Sequence, residues 1–512
     1  MLRRSADRID RAYVALAIGL FLAMLVFTAN RQWSGDFWEH LAVVREFARH
    51  PWNPRHPLFA VDAPHPFASP YLLLAGLVAR WLHLMPLTVM AAFGMANLLM
   101  LLVGFRLFVG ALLGARTAFY GLVFTLLLWG QDPWMYSGFL HLKILGFVLA
   151  YPSIFAMAAA MLSFYAMLRF LERGRPGWAV TVACGAAVIL LTHPITGIVL
   201  AVGLVAFSLP DLVRRPARVL ALAAVVGVTC LVAVRLWPYY PWISLITIGS
   251  ETYRDPNVRV FEQVLPRTWP LLAAVPLMMR RWRLDPLDRL SWFVAGLALL
   301  YTLGAVLDNG PLGRVLPALA LGLHLVLADA VAEAERRWTA AKWTPGIRGL
   351  RAFVAAVVIL GLLNIAPGLI RMVPRQLLPP SMSDDPRLER LLDLYSPLVP
   401  LIGADEVVMA DASISTHLPG LTGKVVGFGA PEAFIEDELA RRHALNRFFG
   451  DATTEERRAL LSAYGASFVV VDRRLTPMTA GLTSSLNELG DVIRDDGRLV
   501  VVKVRPSAVD RP

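Results

Sequence analysis

The sequence predicts a polytopic α-helical membrane protein of about 13 transmembrane helices that ends in a small extracytoplasmic α/β domain. Three observations predict it. Of 512 residues, 57% are hydrophobic and only 17% charged, against roughly a quarter charged in soluble domains. Thirteen apolar runs, most of them close to the roughly 20 residues that span a bilayer, succeed one another as far as residue 370. Beyond them the texture changes: residues 375–512 hold 16 basic and 20 acidic residues, so that residues 1–374 carry a net +15 against +11 for the whole chain.

The first run, Ala12 to Asn30, follows the basic stretch MLRRSADRIDR, and the bulky, polar Arg31, Gln32 and Trp33 come after it. No small-residue cleavage pattern is present, so a retained helix is expected. The other runs cover 70–86, 88–112, 117–130, 138–151, 153–171, 178–192, 195–210, 218–237, 268–279, 291–307, 312–330 and 352–370. Short cytoplasmic loops carry the Lys and Arg excess. With the N-terminus inside, the clusters Arg169/Arg173/Arg175, Arg214/Arg215/Arg218, Arg280/Arg281/Arg283/Arg289 and Arg336 to Arg351 all fall inside. Arg116 disagrees, and 138–151, with His141 and Lys143, is a poor span that reads as a crossing or as part of an irregular helix pair.

This topology leaves residues 31–69, the His193-Pro194 turn, 238–267 and the tail outside. A division follows into a transmembrane domain, 1–374, whose first outer loop is 31–69, and an α/β domain, 375–512. In the tail, Asp405 to Ala410, Lys424 to Phe428, Ser467 to Asp472 and Arg498 to Val504 read as β-branched strands. Pro431 to Phe449 and Thr454 to Tyr464 read as helices, the second capped by Thr453 or Thr454 and stopped by Gly465. The basic excess sits between apolar runs and implies no nucleic-acid partner. The two cysteines, Cys184 and Cys230, lie within apolar runs and exclude a disulfide framework or a Cys-based metal site.

Candidate chemistry gathers in the outer loops. Gly35 to Ala48 has no helix breaker, and on a helix Asp36, Glu39 and His40 share one face, which Val43, Phe47 and His50 extend. Trp33, Phe37, Trp38 and Trp52 suit an interfacial helix lying flat near the headgroups. The alternative is that Asp36 caps the helix while Glu39 and His40 are solvated. Pro51, Pro54, Pro57, Pro64, Pro66 and Pro70 then stiffen an extended connection along which His50, His56 and His65 lie. Their spacing matches no standard metal motif. His193, at the end of an apolar helix, is a structural hydrogen-bonding group or a site residue. Residues 237–268 mix Trp237, Tyr239, Tyr240 and Trp242 with Arg254 and Arg259, a pairing that suits a lipid-linked phosphate or an ordinary interfacial loop. Arg314, in another short outer turn, is a weaker phosphate candidate.

The arrangement resembles the GT-C superfamily of polytopic glycosyltransferases, which have a short cytoplasmic N-terminus, one helix, and a long outer loop opening with an acidic residue. Gly35-Asp36-Phe37-Trp38-Glu39-His40 occupies that place, and Asp36 matches the family's catalytic carboxylate. The His-Pro at the end of a mid-chain helix is similar too. GT-C-like bacterial membrane proteins described as related to 6-pyruvoyl-tetrahydropterin synthase show a similar Asp followed closely by His. The first outer loop lacks the Asp-X-Asp of other members, which leaves dependence on a divalent metal open.

The resemblance implies a multi-pass protein of the bacterial inner membrane, with its N-terminus cytoplasmic and its C-terminal domain periplasmic. It implies inverting transfer of a sugar from a polyprenyl-phosphate carrier, held among membrane lipid, to a glycan, lipid or protein acceptor. Asp36 would be the base, Glu39 and His40 would orient it or bind metal, and Arg254 and Arg259 would steady the leaving phosphate. His56, His65, His193 and Arg314 complete the candidate substrate-binding set. Two other classes compete: a transporter or flippase of lipid-linked glycan, and a non-catalytic assembly protein of the cell envelope. A transporter is expected to carry charge at the midplane and paired repeats; mid-helix charges here are few (Arg80, Arg106, Arg235) and no repeat is visible.

Overall fold

A computed structural model describes residues 2–31, 33, 35–252, 257–369, 373 and 390–506. The chain divides into two compact units. The first comprises residues 1–32, 91–238 and 242–383, and the second 33–90, 239–241 and 384–512.

The first unit is helical. Among the described residues, eight helices are long and apolar enough to cross a membrane. They lie in α1 (Leu2–Ala29), α4 (Pro86–Leu112, whose first turn belongs to the second unit), α7 (Pro152–Arg173), α9 (Pro194–Arg214), α10 (Pro216–Leu236), α13 (Arg289–Val306), α14 (Leu316–Ala340) and α15 (Thr344–Leu369). Two shorter apolar helices, α5 (Ala115–Leu127) and α8 (Pro176–Thr192), accompany them. The remaining three of the thirteen apolar runs form only short helices. Run 70–86 gives the 12-residue α3 (Pro70–Trp81), run 138–151 gives the 7-residue α6 (Leu142–Val148), and run 268–279 leads into the 11-residue α12 (Ala274–Leu284). At about 1.5 Å per residue, 12 residues reach about 18 Å, well short of a hydrocarbon core of about 30 Å.

Polar contacts gather the basic loops at one end of the helices. Arg215 and Arg218 donate to the Leu171 carbonyl at 3.0 and 2.7 Å, satisfying an otherwise open C-terminal acceptor of α7. Asp10 of α1 pairs with Arg106 near the end of α4, and Arg289 with Asp211. Arg281 bridges Asp288 and Asp329, and Asp329 also accepts from Thr117. Arg116, out of place by charge counting, lies 3.5 Å from Glu335 beside Arg336. It therefore stands at the same end as the other basic clusters. The physical reason is that α3 is too short to be counted as a crossing.

The second unit is built around a five-stranded sheet in the order β2-β1-β3-β5-β4. Its strands are β1 (Val407–Ala410), β2 (Lys424–Val425), β3 (Ala466–Asp472), β4 (Gly490–Asp495) and β5 (Leu499–Val504), the first three parallel and the last two antiparallel to their neighbours. Alternation along β1 and β3 sends Val408, Ala410, Phe468 and Val470 to one core and Val407, Met409, Val469 and Val471 to the other. Helices α17 (Glu438–Phe449), α18 (Thr454–Ala463) and α19 (Ala480–Leu489) supply the second core.

The first core is completed from far upstream in the sequence. Ala42, Leu58 and Phe59 pack with Ile414 and Leu418 of α16 (Ala412–Leu421) and with Val408, Val470 and Val501. The Val425 N–H donates to the Leu58 carbonyl at 2.8 Å, so the first outer loop continues the β2 edge. Helix α2 (Phe37–Arg49) lies between α3 and α16 and buries Phe37, Trp38, Val43 and Phe47. Glycine makes both approaches possible: a Cβ on Gly76 of α3 would stand 2.4 Å from the Phe47 Cβ, and one on Gly420 2.8 Å from the Trp38 carbonyl oxygen. The flat interfacial helix expected from the aromatic residues is therefore not observed. Trp33, Phe37 and Trp38 are buried, and Trp52 is exposed.

One tail element departs from expectation and another agrees with it. Residues 431–437 are not helical, because Phe434 turns into the left-handed region at φ 67°, and α17 starts only at Glu438. The Thr453 cap of α18 is a full capping box with Glu456.

Candidate functional site

Five of the candidate residues, Asp36, Glu39, His40, His56 and His65, belong to the second unit. Asp36 precedes α2 with helical backbone angles (φ −63°, ψ −5°) and its side chain makes no cap hydrogen bond. A capping role is thus not observed, and the residue is exposed. One turn on, Glu39 and His40 are buried, His40 with its ring 4.8 Å from that of Phe67.

Glu39 meets two partners from distant sequence. The His65 Nε2 lies 3.4 Å from Glu39 Oε1 and 3.4 Å from Glu432 Oε2, and all three side chains are buried. The Phe67 N–H donates to His65 Nδ1 at 3.2 Å, so this ring turns Nε2 toward the carboxyl pair. Burial, reinforced by Glu432 and by the Asp36 charge and opposed by His65, pushes the Glu39 carboxyl up to about 8. Burial raises Glu432 as well, and Asp36 adds to that shift. Asp36 is therefore electrostatically coupled to a buried acid pair that spans loop and tail.

His56 stands behind this row, edge-to-face with His65 at 5.0 Å and stacked on Phe59 at 5.0 Å. Its Nδ1 accepts from the N–H groups of Leu58 (3.3 Å) and Phe59 (3.1 Å). Burial, and after it the charges of His65, Lys424 and Arg441, hold its imidazole well below the ordinary range and so neutral. One ligand atom each from His56, His65 and Glu432 lie within 4.8 Å of one another, close enough to share a metal ion.

Three ties beside this cluster fasten α2 to the tail. Glu46 Oε2 accepts from Lys424 Nζ at 3.0 Å with both side chains 3% exposed, while Lys424 also donates to the His56 carbonyl at 2.7 Å. Arg45 donates to the Gly423 carbonyl at 2.7 Å, at a turn where φ of +64° favours glycine. Arg49 forms a two-pronged pair with Asp405 at 2.9 and 2.5 Å. Glu432, Lys424 and Glu46 were not among the sequence candidates. The pairing of Lys424 with a residue 378 positions away leaves no local signal. Glu432 also carries no local signal, because it precedes α17 in a non-helical segment and acquires its partner only through the fold.

The other candidates belong to the first unit or lie outside the described residues. His193 accepts from the Thr196 N–H at 3.2 Å and bonds the Thr196 hydroxyl at 2.8 Å, capping α9, with Arg314 close enough to act on it electrostatically. Arg314 bonds Asn257 Oδ1 at 2.9 Å and the Ser137 hydroxyl at 2.7 Å, and lies over the Tyr136 ring at 4.9 Å. Arg259 is exposed in a 3₁₀ turn, Arg259–Phe261, and its carbonyl accepts from the Trp134 indole at 3.2 Å. Arg254 lies outside the described residues.

Solved structures share this architecture. The Archaeoglobus fulgidus oligosaccharyltransferase in the apo form aligns over 97% of this chain and 75% of its own, with TM-score 0.55 and 10% identity. The same enzyme tethered to an acceptor peptide containing the NVT sequon aligns over 90% and 69%, with TM-score 0.51 and 12% identity. The arabinofuranosyltransferase AftD from Mycobacteria matches 96% of this chain at TM-score 0.54 and 15% identity, while this chain spans 40% of its length. No protein-family model matches the sequence, and no curated protein is similar to it by sequence. The likeness establishes the fold alone: a multi-pass membrane protein that shares the architecture of these two transferases and ends in a small sheet domain.

Proposed function

We propose that the protein is an inverting glycosyltransferase that moves a sugar from a polyprenyl-phosphate carrier to a glycan, lipid or protein acceptor on the periplasmic face of the bacterial inner membrane. The observation that carries this reading is Asp36: an exposed carboxylate, not used as a cap, at the start of the first loop helix of a GT-C fold. In the reaction Asp36 takes the acceptor hydroxyl proton as the oxygen attacks the anomeric carbon, and the carrier phosphate leaves with the bonding electrons from the opposite face. Glu39 and His40 hold the base's helix in place from within the buried layer. His56 and His65, also buried, fix the shape of the loop. Arg254, Arg259 and Arg314 are the proposed phosphate partners, and His193 orders the turn beside Arg314.

Turnover of radiolabelled polyprenyl-phosphate sugars by purified protein, scanned over a panel of sugars and acceptors, tests the reading. A transporter or assembly protein transfers none of them.

A further inference from the structure

We propose that His56, His65 and Glu432 form a binding site for a divalent ion of the zinc class, completed by Glu39, which staples the proline-rich loop to the tail within the second unit. Among the described residues His56 Nε2 is buried without a hydrogen bond, while His65 Nε2 and Glu432 Oε2 meet only at 3.4 Å, with Glu39 as the other neighbour of His65. One unpaired and two poorly paired polar atoms in one buried spot are costly unless something converges on them. The two His65-to-carboxylate separations of 3.4 Å are long for charge-assisted hydrogen bonds, which run about 2.7–2.9 Å. They match the edge, roughly 3.3–3.4 Å, of a tetrahedron whose ligands stand about 2.0–2.1 Å from a central zinc.

The donor set is also selective. Two imidazole nitrogens with one or two carboxylate oxygens suit zinc and its first-row neighbours, whereas magnesium and calcium favour all-oxygen shells. A dication entering the site would displace the acid protons and balance the two carboxylates that result. Lys424, the adjacent cation, is already committed to Glu46. Ion binding takes the Nε2 lone pair of each ring, so the ring proton moves to Nδ1. The backbone contacts that His56 and His65 now accept there, 3.1–3.3 Å long, are given up as the ion enters. The hydrogen-bonded and ion-bound arrangements therefore exclude each other.

This site is distinct from the proposed base, and the experiment separates the two. Tag-free full-length protein in detergent, stripped with chelator, is titrated with zinc alone. One zinc per chain and a raised Tm are expected, with no such effect of magnesium. Glu432→Gln and His56→Gln are expected to weaken zinc binding by at least about tenfold, the loss that even outer-shell partners produce, whereas Asp36→Asn should bind zinc as the wild type does. Because either of the first two variants can fail to fold, X-ray absorption of the zinc-loaded wild type provides a second reading, with imidazole scattering expected around the ion. Absence of stoichiometric zinc, wild-type affinity in both site variants, zinc without imidazole neighbours, or loss of binding in Asp36→Asn overturns the site. Failure of sugar transfer alone leaves it standing.

Discussion

Asp36 and Lys424 mark two extremes of what a side chain can reveal by itself. An acid directly after the first apolar run and its short linker is visible in the sequence, and the structure leaves that acid exposed and coupled to Glu39 and Glu432. Replacing it with Asn keeps the shape but removes the proton acceptor. Turnover is expected to fall about 10²- to 10⁴-fold, the usual contribution of a general base, with donor-lipid binding and folded yield near wild type; transfer at the wild-type rate sinks the assignment. Lys424 gave no such signal, because a lone lysine at the start of a strand acquires meaning only from Glu46. Removing one member of a buried pair leaves the other charge uncompensated, at a cost of about 3–5 kcal/mol. Lys424→Met should lower the Tm of the full-length protein sharply, and adding Glu46→Gln should restore most of it. A Lys424→Met protein as stable as the wild type contradicts the buried pairing.

Among the elements, strands and capped helices were the most legible, since β-branched alternation and the Thr453/Glu456 box are local patterns. Helix α16 was missed because ASISTHLPGL is rich in Ser, Thr, Pro and Gly; it forms through the Asp411 side chain, which accepts from the Ser413 and Ile414 N–H groups at 2.9 and 3.0 Å, and through its buried Ile414 and Leu418. Strand β4 was missed because most of DVIRD is exposed at the sheet edge. The helix α2 carried a readable apolar pattern, but only its neighbours show why it is buried and not lying flat. Gly76→Ala or Gly420→Ala forces backbone apart on one side of it, a change of the kind that costs about 1–3 kcal/mol. Lower thermal stability in both variants is expected, and an unchanged melt in both contradicts the close crossings.

The link from α2 to Asp405 adds a pH dependence of known sign. The Arg49 hydrogen bond, with Arg49 and Arg55 charge behind it, holds Asp405 down to about 2, below the roughly 3.9 of a free aspartate. Its stabilisation is thus present above about pH 4 and is lost as pH falls toward 2. The Tm difference between wild type and Asp405→Asn should be small, because the pair is half-exposed, and should vanish over that interval. A difference that grows on acidification has the wrong sign for this pairing.

At the scale of the whole molecule, the membrane class and the sheet-bearing tail were evident from composition, while the helix inventory was not. Apolar length alone cannot tell a spanning helix from α3 or α6, which end early at His83 (φ 52°) and at the Tyr151-Pro152 junction. The proposed orientation predicts that a reporter fused at Pro345 behaves as cytoplasmic and one fused after Val504 as periplasmic. The same side for both contradicts it. The tail also depends on the outer loop more than its own strands suggested, since Ala42, Leu58 and Phe59 belong to its core. Expressed from Ser381 onward it should be poorly soluble alone, and residues 33–90 supplied in trans should improve its folded yield; a tail that melts cooperatively by itself contradicts the shared core.

That shared core imposes a schedule. Residues 33–90 emerge from the ribosome long before residue 384, and at about 5–20 residues per second the interval is roughly 15–60 s. During that time Leu58 and Phe59 have no sheet to cover and Glu46 has no lysine. The cell must shelter an unfinished half-domain while the helices between are inserted, and the loop's prolines, by limiting the shapes it can adopt while it waits, shorten the search when its partner arrives.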